Sequence, residues 1–190
     1  MMTHPSANVS FAQNVGRSGY PLTWRALHWF TAAIVLVLIP IGIVMANKAG
    51  GPLQDFLYNL HRSLGATLIP ILLVRLIYRL THTPPPLPSD VPPIQQLAAH
   101  ANHYALYALL MVQPFVGWIA TSAYPAPITV FGLFQLPPIW RADRAFSETM
   151  FFVHRTIGIT IAFLVLIHIA AALYHHFVRR DDILVHMIRG

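Results

Sequence analysis

The sequence predicts an all-α integral membrane protein, a single bundle of four transmembrane helices. Three observations carry this reading. Of the 190 residues, 56% are hydrophobic and only 9% are charged, against about 25% charged in a typical soluble domain. Mean hydropathy is +0.57, which argues against a soluble globular enzyme and excludes a disordered chain. The apolar residues gather into four long stretches, and all six acids (Asp55, Asp90, Asp143, Glu148, Asp181 and Asp182) fall outside them.

The first span covers about residues 24–46. Ala26 to Ala46 holds no charge, and at 1.5 Å per residue such a segment crosses about 30 Å, the thickness of the hydrocarbon core. Trp24 and Trp29 flank its start as interfacial anchors. The polar residues before it, and the lack of a convincing cleavage site after it, favour a retained helix over a signal peptide. The second span covers about 61–80, with Arg75 and Arg79 four apart on one face, both able to snorkel to the same border. Thr81 to Pro93 contains six of the 16 prolines and reads as a stiff extended linker. The third span covers about 97–122, with Pro114 inside it. Thr121 to Pro138 reads as an apolar loop broken by Pro and Gly, lying on the membrane surface or over a pocket. The fourth span covers about 150–178 and ends at Arg179-Arg180-Asp181-Asp182. Residues 21–190 thus form one domain, and residues 1–20 read as a disordered extension.

Four spans put both ends of the chain on one side. That side carries Arg17, Arg25, Arg75, Arg79, Arg179, Arg180 and Arg189, and the other carries Lys48, Arg62, Arg141, Arg144 and Arg155. The positive-inside bias places both termini in the cytoplasm. The net charge of +6 is spread along the borders of apolar runs, a pattern for lipid headgroups and not for nucleic acid.

Histidine is the unusual component, with 11 residues and no cysteine. Thiolate haem, iron–sulfur and Cys-type zinc sites are therefore excluded, and ionisable residues inside a membrane are functional candidates. His154 and His168 lie 14 residues apart on the fourth span, nearly on one face and separated by about 21 Å along the axis. One sits near each border. Each needs a partner at its own depth. The direction of each span supplies it: His28 with His168 on the inner side, and His61 with His154 on the outer. Two imidazoles at each depth suit bis-histidine haem better than zinc, which takes three or four ligands at one level. Gly42, Gly65, Gly117 and Gly158 are small residues that would leave room for a macrocycle, although glycine is also common in ordinary membrane helix contacts. His100 and His103, one turn apart at the start of the third span, are rivals to His28 for the inner metal. They would also suit a quinone headgroup or haem propionates. His175 lies two turns beyond His168. His4, His82, His176 and His186 carry no strong functional claim.

Several segments resemble the bacterial cytochrome b561 family. They are Leu27-His28-Trp29, Asn59-Leu60-His61-Arg62-Ser63-Leu64-Gly65, Val74-Arg75-Leu76-Ile77-Tyr78-Arg79, Leu97-Ala98-Ala99-His100-Ala101-Asn102-His103, and His154 with His168 and the Leu173-Tyr174-His175-His176-Phe177 tail. The resemblance runs from Pro21 to the end of the chain. It implies four membrane helices and two b-type haems held by His28, His61, His154 and His168. The family includes a superoxide oxidase of the bacterial inner membrane that reduces ubiquinone. That activity implies superoxide docking at the periplasmic face, where Arg62, Arg141, Arg144 and Arg155 are candidates for steering a small anion. It also implies a quinone near the inner haem, with His100, His103 and His175 as candidates for binding it or relaying protons. The chain is then expected to be a superoxide:quinone oxidoreductase. The alternative is a haem-carrying anchor that passes electrons between a partner dehydrogenase or hydrogenase and the quinone pool.

Overall fold

A computed structural model describes residues 19–47, 49–84 and 91–190. Most of the expected N-terminal extension, Lys48 and the middle of the proline linker lie outside the described residues. In chain order the elements are α1 (Leu22–Asn47), α2 (Pro52–Thr81), α3 (Pro93–Ala123), β1 (Ile128–Val130), β2 (Phe134–Leu136), α4 (Arg144–Tyr174), a π-helical turn (His175–Arg179) and α5 (Ile183–Ile188). The four long helices are each long and apolar enough to cross a membrane. The protein is an all-α membrane bundle with one small hairpin added.

Two helices begin earlier than the hydrophobic pattern suggests. α2 starts at Pro52, nine residues before His61, and α4 starts at Arg144, ten before His154. The extra turns are polar enough to hide from a hydropathy reading but are built as helix starts. Proline occupies the first turn of α2, where its missing N–H costs nothing, and Asp55 complements the helix dipole there. At α4, Asp143 is the N-cap, and its carboxylate accepts from the Phe146 amide at 3.0 Å. The consequence is depth: His61 and His154 lie well inside their helices. Hydroxyls within the spans satisfy themselves on the preceding turn. Thr31 donates to the Leu27 carbonyl at 2.7 Å, and Thr67 to that of Ser63 at 2.9 Å, as a polar group facing hydrocarbon must.

α1 packs chiefly on α2, and α3 on α4. The buried apolar cluster between these pairs is Val35, Leu68, Leu72 and Ile161. Its register is informative. Val35 follows His28 by seven residues, Leu68 follows His61 by seven, and Ile161 lies seven from both His154 and His168. Seven residues are about two helical turns, so the apolar layer sits midway between two levels of histidine.

The loop after α3, expected to be irregular, folds into an antiparallel hairpin. Ile128 pairs with Leu136, Thr129 with Gln135 and Val130 with Phe134. Gly132, with φ of 76°, supplies the left-handed position at its tip. The hairpin is tied to α2 beside His61. The Phe131 amide donates to the Ser63 hydroxyl at 2.9 Å, and Arg62 donates to the Pro127 carbonyl at 3.4 Å. At the opposite end of the bundle the chain closes on itself. Arg25 donates to the Ile188 carbonyl at 2.6 Å, and the Trp29 indole to that of Met187 at 2.9 Å.

Candidate functional site

The four intramembrane histidines meet in two pairs across the bundle. His28 of α1 and His168 of α4 have ring centres 6.0 Å apart, and His61 of α2 and His154 of α4 have ring centres 6.1 Å apart. All four side chains are partly buried. One pair lies toward the end where α1 meets α5, the other toward the hairpin.

The spacing tests what such pairs can hold. Imidazoles bound on opposite sides of one metal ion, each about 2 Å from nitrogen to metal, put their ring centres roughly 6 Å apart. Both pairs match that distance. Among the described residues no group of three or more His, Cys, Asp or Glu side chains is arranged to hold one metal ion, so a closed tetrahedral site has no ligand set. Two imidazoles at one depth, contributed by different helices, are the donor set of a bis-histidine haem, and haem is the group the donors fit.

Neighbouring groups hold the hairpin-end rings. The Nδ1 of His154 is 3.2 Å from the Gln113 carbonyl oxygen. A proton placed there leaves Nε2 as the metal-binding nitrogen. The Gln113 amide donates to the His154 carbonyl at 2.9 Å and lies 3.4 Å from Nε2. The backbone of Leu38 on α1 is the hydrogen-bonding neighbour of the buried His61 ring, the kind of partner a ligating imidazole needs on its other nitrogen. Glycines make room for both rings. A Cβ on Gly117 would lie 2.9 Å from Cε1 of His154, and one on Gly42 would lie 3.3 Å from Cε1 of His61. Thus two of the four glycines expected to face a macrocycle instead seat ligand-type rings from a neighbouring helix. Gly65 has nothing within 4 Å, and Gly158 faces the Gln113 amide at 3.2 Å.

At the other level a third imidazole joins the pair. The His103 ring centre is 5.3 Å from that of His168, while His103 and His100 are exposed residues of α3. Arg75 donates to Nδ1 of His28 at 2.9 Å and lies over the Tyr107 ring at 5.2 Å. His175 is not adjacent to the His28–His168 pair in any described contact. Its Nδ1 is 2.5 Å from the Asp181 carboxylate, which also accepts from Arg179 at 3.3 Å. Burial raises the Asp181 pKa, but hydrogen bonds from His175 and the Ile183 amide outweigh it and hold the carboxyl below its usual range. This cluster fastens the π-helical turn to the start of α5.

The four arginines expected to steer an anion all lie at the hairpin end, with unequal freedom. Arg62 is engaged with the hairpin and lies over Tyr58 at 5.5 Å. Arg144 pairs with Glu148 at 3.1 Å and lies over Tyr124. Arg141 and Arg155 are exposed. Sequence reasoning missed Gln113, the glycine seats and the Arg75–His28 contact. A polar Gln beside Pro114 inside an apolar span was the one available signal for the first.

Residues 19–190 match the family described as Prokaryotic cytochrome b561. The chain is 33% identical over 174 residues to "Cytochrome b561 homolog 2" of Escherichia coli strain K12, covering 89% of this chain and 90% of that protein. It is 26% identical over 163 residues to "Probable superoxide oxidase CybB" of Yersinia pestis, covering 85% and 91%. It is 26% identical over 166 residues to "Cytochrome b561 homolog 1" of E. coli K12, covering 85% and 92%. The chain belongs to the prokaryotic cytochrome b561 family, whose members are multi-pass bacterial membrane proteins that carry electrons with haem b.

Proposed function

We propose that this member of the family binds two haems b, one between His28 and His168 and one between His61 and His154, and carries electrons from superoxide to ubiquinone. The observation that carries the reading is the pair of 6 Å imidazole couples at two depths with an apolar layer between them. When bound, haem iron supplies the one-electron couple, and the protein supplies ligand orientation, dielectric and access. The net chemistry balances as follows. Two superoxide anions each give up one electron and leave as dioxygen. One ubiquinone takes both electrons with two protons and leaves as the quinol.

The side chains divide the work by end. With the positive-inside orientation the hairpin end is periplasmic and the terminal end cytoplasmic, in the bacterial inner membrane. At the periplasmic end, exposed Arg141 and Arg155, with Arg62 and Arg144, give a positive field that raises the local concentration of a small anion. Val35, Leu68, Leu72 and Ile161 keep water out of the mid-plane, so protons have no hydrated route between the two levels. At the cytoplasmic end, His103 beside His168, with His100 one turn away, is placed to hydrogen-bond a quinone oxygen and deliver protons. His175 is tied to Asp181 and serves the quinone only if that contact opens.

The test is direct. Purified protein receives a superoxide source and a quinone analogue, and quinol formation is followed. The expected result is superoxide-dependent quinol, with a second-order rate that falls as ionic strength rises. Intact haems with no superoxide-dependent quinol would refute the oxidase reading. One observation favours a second reading. Phe131, Leu133 and Phe134 at the hairpin tip, and Trp140 beside it, are exposed, a surface that a periplasmic dehydrogenase or hydrogenase could cover. In that case the chain is the membrane anchor of a larger electron-transfer complex and co-purifies with its partner.

A further inference from the structure

We infer that Arg75 is the protein's partner for a propionate carboxylate of the haem at the His28–His168 level; this rests on the haem reading above. A guanidinium is always charged, donates five hydrogen bonds and accepts none. Arg75 therefore donates to Nδ1 of His28 at 2.9 Å, and Nδ1 must offer its lone pair. In a neutral imidazole the proton then sits on Nε2. Iron ligation through Nε2 needs the reverse arrangement, with the proton on Nδ1. The Arg75–His28 hydrogen bond and ligation through Nε2 thus exclude each other, and loading the site releases the guanidinium.

A released cation needs a new partner. Arg75 is half-buried on α2, and its other described contact is the face of Tyr107 at 5.2 Å. Neither contact is an anion. Among the described acids, Asp55, Asp143 and Glu148 lie at the opposite end of the bundle, Asp181 is committed to His175 and Arg179, and Asp182 is an exposed residue with no described contact to Arg75. A partly buried charge left unpaired is costly. Haem b brings two carboxylates with it, and the planar guanidinium fork is matched to a carboxylate in bidentate geometry. Arg75 already lies against the ring that would bind the iron, so a carboxylate brought to that ring would meet a guanidinium about to lose its acceptor.

The test is a redox titration of Arg75→Gln and Arg75→Lys beside the wild type, each made by cell-free synthesis with haem b or with its dimethyl ester, whose carboxylates are masked. Loss of the cation disfavours the more negative ferrous state. In Arg75→Gln the inner haem's ferric form is expected to gain about tenfold, which is about 59 mV for one electron, while the outer haem stays unchanged. Arg75→Lys keeps a point charge and shifts less in the same direction. The ester keeps the Arg75 charge and removes only its carboxylate partner, so wild type should hold haem b about tenfold more tightly than the ester at this level, and Arg75→Gln should lose that preference. Equal midpoints for wild type and Arg75→Gln, with two haems present, overturn the carboxylate partnership and leave the haem reading standing. An equal preference for haem b over the ester in wild type and Arg75→Gln does the same. Wild-type protein without b-type absorbance overturns both.

Discussion

Replacing Gly117 with alanine should weaken the haem site proposed between His61 and His154, called outer below. The added Cβ would sit 2.9 Å from Cε1 and 3.1 Å from Nδ1 of His154, where carbon atoms in good contact stand about 3.5–4.0 Å apart. The ring must therefore retreat by roughly 0.6 Å or more. It has little freedom to do so, because its Nδ1 is already 3.2 Å from the Gln113 carbonyl oxygen, at the long end of a useful hydrogen bond. Overpacking of this kind costs about 1–3 kcal/mol, which is roughly 5- to 150-fold in affinity if it falls on the ligated state. Two measurements read it: haem per protein by pyridine haemochrome, and the low-spin ferric EPR signal, which responds to the angle between the axial rings. Gly117→Ala should lose the outer haem or move its EPR signal while the inner one holds. Gly42→Ala, at 3.3 Å from His61, should show the same change more weakly. In Gly65→Ala the new Cβ meets no protein atom within 4 Å, so the fold is unaffected and any haem loss reports contact with the macrocycle itself. Gly117→Ala with both haems, unchanged EPR and unchanged midpoints would refute the argument that a glycine seats the ligand ring.

Other consequences can be checked alongside. Single His→Ala changes at His28, His61, His154 and His168 should each remove about one haem, read by the same haemochrome assay; both haems in His28→Ala would transfer the inner ligand to His103. Leu72, 2% exposed, supports the mid-plane layer, and Leu72→Ala should destabilise the bundle by about 2–5 kcal/mol, seen as a lower unfolding midpoint in detergent. The depressed Asp181 pKa makes its contribution to the C-terminal turn present above the ordinary carboxyl range and lost as pH falls through the lower folded value. Hydrogen-exchange protection over Asp181 to Ile188, taken relative to the intrinsic rate at each pH, should therefore fall at acid pH in the wild type, and already at neutral pH in Asp181→Asn.

The sequence alone determined the membrane class and the four spans, and it paired four histidines by depth while leaving His100 and His103 as rivals to His28. These follow from one-dimensional quantities. Apolar run length is set by bilayer thickness, and the alternating direction of successive spans converts residue number into depth. That is why His28 could be matched with His168, and His61 with His154, before any contact was known. The fine structure of the ends was not legible in the same way. The start of α2 at Pro52 and of α4 at Arg144 depends on caps and dipoles within polar turns, which hydropathy averages away. Tertiary structure alone decided the rest, because it concerns which face of a helix meets which neighbour. It turned Gly42 and Gly117 toward imidazole rings, brought Gln113 and Arg75 onto particular ring nitrogens, tied His175 to Asp181, and folded the outer loop against Ser63. Depth can be counted along a chain. Rotation about a helix axis and the identity of the partner across the bundle emerge only when the four helices pack.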